Sequence, residues 1–157
     1  VPRTRAAECR NDQGLLVNPT SDPEFFPAVV EQALDATIFA DREGIVRIWN
    51  ARAEMVFGFS ASEAIGGSLD VIIPEDLRAA HWRGFNRAIA AGRTRLGGRA
   101  MVTRAVHKQG GKLYVELSFG IVKGGPQGVM GALATAKDIT QSYLASRERI
   151  APLSADG

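Results

Sequence analysis

Lys112-Leu113-Tyr114-Val115-Glu116-Leu117-Ser118-Phe119-Gly120-Ile121-Val122 alternates residue by residue, with Leu113, Val115, Leu117, Phe119 and Ile121 on one side. Successive side chains of a strand point to opposite faces, so this pattern predicts a strand with one apolar face turned to a core. Two turns bracket it: Lys108-Gln109-Gly110-Gly111 before, and Gly124-Gly125-Pro126-Gln127-Gly128 after. Beyond those turns lie two more strand-like runs, residues 96–107 and 129–136. Three consecutive strands joined by tight turns are therefore expected.

Upstream, Pro74-Glu75-Asp76 opens the longest helix, over about residues 76–91, and Gly92 stops it. Ser60-Ala61-Ser62-Glu63 has the spacing of a capping box, and Asn50 is placed to cap a helix over residues 51–57 that Gly58 ends. Two short β-prone runs, 36–40 and 45–49, flank Asp41-Arg42-Glu43-Gly44 and read as a hairpin. Before it, Phe25, Phe26, Val29, Val30, Ala33 and Leu34 draw an apolar stripe on a short helix. Ile139, Tyr143, Ser146 and Ile150 fall at +4, +7 and +11 on a last helix, the start of a coiled-coil seam. Two strands, helices, three strands and a closing helix make an α+β fold: a five-stranded antiparallel sheet with helices on one face, enclosing a pocket, and flanking helices at both ends. Residues 1–23 are polar and proline-bearing and read as a flexible tail, 24–140 as the domain, and 141–157 as a C-terminal helix and tail.

At 45% apolar and 23% charged over 157 residues, the composition is that of a globular domain. No apolar run reaches the length of a membrane span, and the arginine-bearing first ten residues lack the apolar core of a signal peptide. One cysteine, Cys9, forms no internal disulfide, which suits the cytoplasm. Nineteen basic against 17 acidic residues leave a net charge of only +2, with no basic face to suit nucleic acid. A chain that starts at Val1 rather than Met is expected to be a fragment or a processed product. Catalytic signatures are missing: there is no His-Glu-x-x-His, no Gly-x-Ser-x-Gly, and Gly110-Gly111-Lys112 is followed by leucine rather than Ser or Thr. Asp70, Glu75 and Asp76 are not a catalytic pair, because helix-start placement accounts for the last two. No enzyme activity is expected.

Only two histidines occur. Leu77, His81, Phe85 and Ala88 are spaced +4, +4 and +3, which puts His81 on the buried stripe of the long helix. His107 stands beside a glycine turn and is expected in solvent. An imidazole on a helix packed over a sheet suits an axial ligand of heme iron, and equally a core histidine bonded to a carbonyl.

The order of elements and several signposts resemble the PAS domains, small sensory and interaction modules. The matching residues are Asp35-Ala36-Thr37-Ile38, residues 45–50, Phe57-Gly58-Phe59-Ser60, Glu63-Ala64-Ile65-Gly66, Ile73-Pro74-Glu75-Asp76, Lys108-Gln109-Gly110 and Asp138-Ile139-Thr140. The resemblance implies a sensor of bacterial signal transduction that feeds an output domain or partner protein through the helix after Asp138-Ile139-Thr140. No such output domain lies in these 157 residues. Locally the chain is similar to the heme-binding PAS domains of FixL-type oxygen-sensor kinases. In those, the proximal histidine follows the proline of the Pro-Glu motif by seven residues, the separation of Pro74 and His81. That likeness implies b-type heme on His81, propionate contacts at Arg87 and Arg95, and a distal side formed by Leu96, Leu117 and Phe119. Met101 stands where those kinases carry the arginine that holds oxygen. A related heme-regulated phosphodiesterase pairs histidine with a methionine that matches Arg99 here. Met101 is therefore the expected second metal ligand, on a strand face shared with residue 99. A flavin adduct is excluded, since Cys9 lies in the tail.

Two functions follow from this reading. One is a heme sensor reporting CO, NO, O2 or redox state, with a homodimer expected. The other is a cofactor-free module for homodimerisation, protein interaction or a non-heme metabolite, using residues 24–34 and 141–150 as its interface.

Overall fold

The strand anticipated over 112–122 forms from Leu113 to Gly124 and sits second from one edge of the sheet. The computed structural model describes residues 9–10, 16–17 and 19–150. In chain order the main elements are α1 (Phe25–Glu31), β1 (Ala36–Asp41), β2 (Val46–Trp49), α2 (Ala51–Phe57) and α3 (Ala61–Ala64). They continue with α4 (Glu75–Ala91), β3 (Met101–Ala105), β4 (Leu113–Gly124), β5 (Gly128–Asp138) and α5 (Thr140–Ile150). The five strands pair antiparallel in the order β2-β1-β5-β4-β3, the α+β sheet expected. Most of residues 1–23 lies outside the described part. Within it Cys9–Arg10 pairs with Leu16–Val17, and Pro19–Ser21 makes a 3-10 turn.

Register assigns the faces, because residues directly opposite in an antiparallel pair share one. Ala36, Ile38 and Ala40 of β1 face Ala136, Ala134 and Ala132 of β5, which face Leu117, Phe119 and Ile121 of β4. Met101, Thr103 and Ala105 of β3 complete this inner face opposite Leu117, Val115 and Leu113. The core concentrates at the β1–β2 side, where α2 packs: Val46, Ala53 and Phe57 are fully enclosed, and Trp49 donates from Nε1 to the Phe59 carbonyl at 2.9 Å.

Asn50 joins three segments there. Its Oδ1 accepts from the amides of Ala53 at 3.0 Å and Thr37 at 2.8 Å, and its Nδ2 donates to the carbonyls of Val30 and Asp35, each at 3.1 Å. It is thus the helix cap expected and also the clamp between α1, β1 and α2. Ser60 and Glu63 form the expected capping box on α3. Glu63 also pairs with Lys108, and these bonds hold its carboxyl down at about 2.

Three expectations are corrected. The strand read over 96–107 is only Met101–Ala105, because Gly97 and Gly98 adopt φ of 56° and 82°, which strand residues do not. Arg95, Leu96 and Arg99 therefore lie in a loop, and Arg99 does not share a strand face with Met101. His107 is half-buried rather than solvated: it packs on Gly58, where a Cβ would come within 2.8 Å of its ring, and its Nδ1 accepts from the Gln109 amide at 3.2 Å. The seam on α5 is partly spent within the chain. Tyr143 stacks on Tyr114 of β4 with centroids 4.2 Å apart, and Ile139 precedes the helix. On the α1 stripe, Phe26 and Val29 are exposed, as is Leu34 just beyond the helix.

Candidate functional site

Two anchors stretch α4 along β3 and β4. In its first turn Asp76 pairs with Arg104 of β3, and beyond its last turn Gly92 lies against Lys123 of β4 and Val129 of β5. Phe85 and Ala88 are buried on the sheet side, while Leu77 and His81 of the same stripe are half-buried. His81 falls between the two anchors along the helix.

Its surroundings are aromatic. The imidazole meets the Trp82 ring edge-on at 5.0 Å and Phe85 at 6.0 Å. Trp82 in turn donates from Nε1 to Asp70 Oδ1 at 2.8 Å and lies so close over Gly44 that a Cβ there would overlap its ring. Gly44 is thus required by contact, and the β1–β2 turn, Asp70 and Trp82 together fix the wall against which His81 rests. Burial pushes the His81 pKa below the usual imidazole value, opposed in part by the Asp70 carboxylate. The ring is therefore neutral at pH 7. Its Nδ1 is fully buried and has no hydrogen-bond partner among the described residues. A buried imidazole nitrogen without a partner costs about 1–3 kcal/mol, so its retention calls for a reason.

That burial has a sign. A neutral ring in the fold and a protonatable one in the unfolded chain mean that full stability holds above the unfolded value of 6.5 and falls as pH drops toward the depressed folded value. Denaturant titrations at pH 7.5 and 5.5 are expected to show a larger loss for the native chain than for His81→Phe. The difference is bounded by about 1.4 kcal/mol per pH unit. Equal losses would place the ring in water.

The inner face beneath α4 is incompletely filled. Leu117, Phe119, Ile121, Ala132 and Ala134 are all half-exposed although they belong to the two inner strands β4 and β5. Alanines down the middle of a sheet carry little side chain to fill the space above it. These residues form a partly accessible apolar floor beneath α4, with Leu117 and Ala132 packed against the core. Two adjoining half-open cavities of about 250 and 360 Å3 lie around Arg104 and Tyr114, and His81 lines neither. Among the described residues no three His, Cys, Asp or Glu side chains gather into a metal cluster.

A family model for the PAS fold matches residues 24–139. The chain belongs to the PAS family. Among its relatives, the oxygen sensor protein DosP of Escherichia coli strain K12 is 28% identical over 118 residues, which is 75% of this chain and 14% of DosP. The sensor protein FixL of Bradyrhizobium diazoefficiens is 29% identical over 91 residues, 58% of this chain and 18% of FixL. The PAS chain here thus spans less than a fifth of either sensor's length. In fold it resembles the PAS domain of a Colwellia psychrerythraea protein, with TM-score 0.63 and 22% identity over 74% of this chain and 95% of the other. No helix among the described residues is long and apolar enough to cross a membrane.

On this PAS framework the residues singled out from sequence separate into groups. Met101, Leu117 and Phe119 share the inner face, with Met101 directly opposite Leu117 and 39% exposed at the sheet edge. Leu96 sits half-buried in the loop before β3, and Arg95 beside it is exposed. Arg87 is exposed on α4. Neither Arg87 nor Arg95 makes an ion pair with the described residues, so both guanidinium groups are open to an anion. Tyr114, Arg104 and Arg147, which the sequence does not mark, gather with Tyr143 at the other end of α4. The one signal for them was Tyr143 on the heptad positions of α5.

Proposed function

We propose that this PAS domain is the sensory part of a signal-transduction protein and holds b-type heme through His81, reporting a diatomic gas or redox state. The observation that carries the reading is the buried, partnerless nitrogen of a neutral imidazole on α4, beside a partly accessible apolar floor. A neutral imidazole is the protonation state that ligates a metal. With no cluster of three His, Cys, Asp or Glu among the described residues, the donor set suits a metal that brings its own in-plane ligands, which is what a porphyrin does. Arg87 and Arg95 supply unpaired cations for two carboxylates. The residues present fit the group. Heme at this place would supply an iron that takes CO, NO or O2 and changes oxidation state.

The chain's own residues do the rest. Leu117 and Phe119 keep the floor apolar. Met101 has a thioether and no proton to donate, so it serves as a sulfur ligand or leaves an apolar distal side favouring CO over O2. A change at His81 or Met101 reaches β3 and α4, and from β4 it passes to α5 through Tyr114. Such a change moves α5 only where ligand contacts differ between the two positions of the helix. The output domain or partner, a homodimeric state and a cytoplasmic location belong to this proposal. The domain division at 24–140 is part of it too.

The test is an absorption spectrum of the protein with added hemin, before and after dithionite and CO. The expected result is a strong Soret band that shifts with CO and is lost in His81→Ala with the fold retained by circular dichroism. Loss of that ligand is expected to weaken hemin binding by more than the roughly 10–100-fold that removal of an outer-shell partner costs. A protein that ignores hemin, or a variant that keeps the full spectrum, overturns the heme reading.

One observation favours a second function. Phe26 is 62% and Leu34 83% exposed, an apolar display at α1 that suits a second copy of the chain in a cofactor-free dimerisation module.

A further inference from the structure

The two cavities away from His81 share the outward-facing pair Arg104 and Tyr114, which sit directly opposite each other on β3 and β4. The larger, about 360 Å3, is walled by Leu77 of α4, Val102 and Arg104 of β3, Tyr114 of β4, and Tyr143 and Arg147 of α5. The smaller, about 250 Å3, continues past Arg104 to His107 and Lys112. Neither lining contains an aspartate or glutamate. Asp76, which pairs with Arg104, reaches it from outside the lining.

Arg147 forms no ion pair or hydrogen bond with the described residues, so its donors are free. The Tyr114–Tyr143 stack presents aromatic surface to the same space, and Leu77 and Val102 add aliphatic surface. A guanidinium fork recognises a carboxylate in its own plane, and a half-apolar wall recognises a flat hydrocarbon body. The volume is within the range of small-molecule sites.

We propose that this groove is a second ligand site of the domain, for a small aromatic carboxylate. The carboxylate lies on Arg147 and the ring lies along Tyr143, Leu77 and Val102. The site is independent of what His81 holds. Its position gives it a role: its walls come from the edge strand, from the helix that carries His81 four residues after Leu77, and from the helix that leaves the domain. An occupant fastens α5 to β3, so the setting of α5 answers to a dissolved anion as well as to what His81 holds.

The experiment uses benzoate as the probe and follows backbone amide and aromatic NMR signals of the whole chain. Saturable shifts are expected at Val102, Tyr114, Tyr143 and Arg147, with a Kd of about 1 mM or tighter. Arg147→Gln, which breaks no bond seen in the fold, is expected to weaken benzoate at least about tenfold, and His81→Ala to leave it unchanged. Absence of saturable shifts at those residues overturns the proposal, as does undiminished binding in Arg147→Gln. Inorganic phosphate binding as tightly as benzoate overturns it too, since the groove would then select charge without the ring.

Discussion

Asn50→Leu is expected to cost about 3–5 kcal/mol of stability, a large share of the roughly 5–15 kcal/mol that holds a small domain folded. Asn50 is 1% exposed and satisfies four backbone groups, the amides of Thr37 and Ala53 and the carbonyls of Val30 and Asp35. Leucine has similar bulk and satisfies none of them. Each buried group left without a partner costs about 1–3 kcal/mol, and water admitted to some of the four brings the sum down to the stated range. Asn50→Asp separates the two halves of the clamp: it keeps the acceptor for Thr37 and Ala53 but sets a carboxylate against the two carbonyls. It is expected to be destabilised at neutral pH and partly recovered in acid, where the carboxyl regains a proton to donate. Urea denaturation reads both variants. A loss under about 1 kcal/mol for Asn50→Leu would mean that α1 is not held through this side chain.

Ala134→Leu is expected to separate ligand binding from folding. Ala134 lies mid-strand on β5, opposite Ile38 on one side and Phe119 on the other, and is half-exposed in spite of that central place. Leucine there extends into open space rather than into packed atoms, so stability changes by less than about 1.5 kcal/mol. The same carbons occupy the floor where a flat cofactor would lie. Hemin uptake is expected to fall about 100-fold, a penalty of roughly 3 kcal/mol from overfilling. Melting temperature and hemin titration are both needed. A leucine variant with unchanged melting and unchanged uptake would place the bound group away from β5. A variant that fails to fold would show the floor to be closed already.

The sheet was legible because its signals are local. The alternation from Leu113 to Ile121, the glycine turns on either side, and the capping residues Asn50 and Ser60 act within a few residues of themselves. The start of β3 was misjudged although Gly97-Gly98 stood in plain view, because the apolar residues around them carried more weight than the positive φ that only glycine accepts readily. Asn50 was legible as a helix cap, but not as the tie to Val30 and Asp35, since that role exists only when α1 and β1 meet. The half-burial of His107 depends in the same way on Gly58, 49 residues earlier in the chain. His81 could be placed on a stripe by spacing. The unpaired state of its Nδ1 could not, because it depends on what the sheet and Trp82 offer it. The Tyr114 groove was hidden because its walls come from four separate elements.

The strand order carries a consequence for how the chain is made. β5 is the last strand to be synthesised and the one in the middle, with Ala36 paired to Ala136 and Leu117 to the same residue on the other flank. Until Asp138 has been translated, the β1–β2 hairpin and the β3–β4 hairpin have no common neighbour and each shows an unsatisfied edge. Pairing across 100 residues is slow to search. A ribosome that stalls before β5 therefore releases two sticky half-sheets rather than a smaller domain.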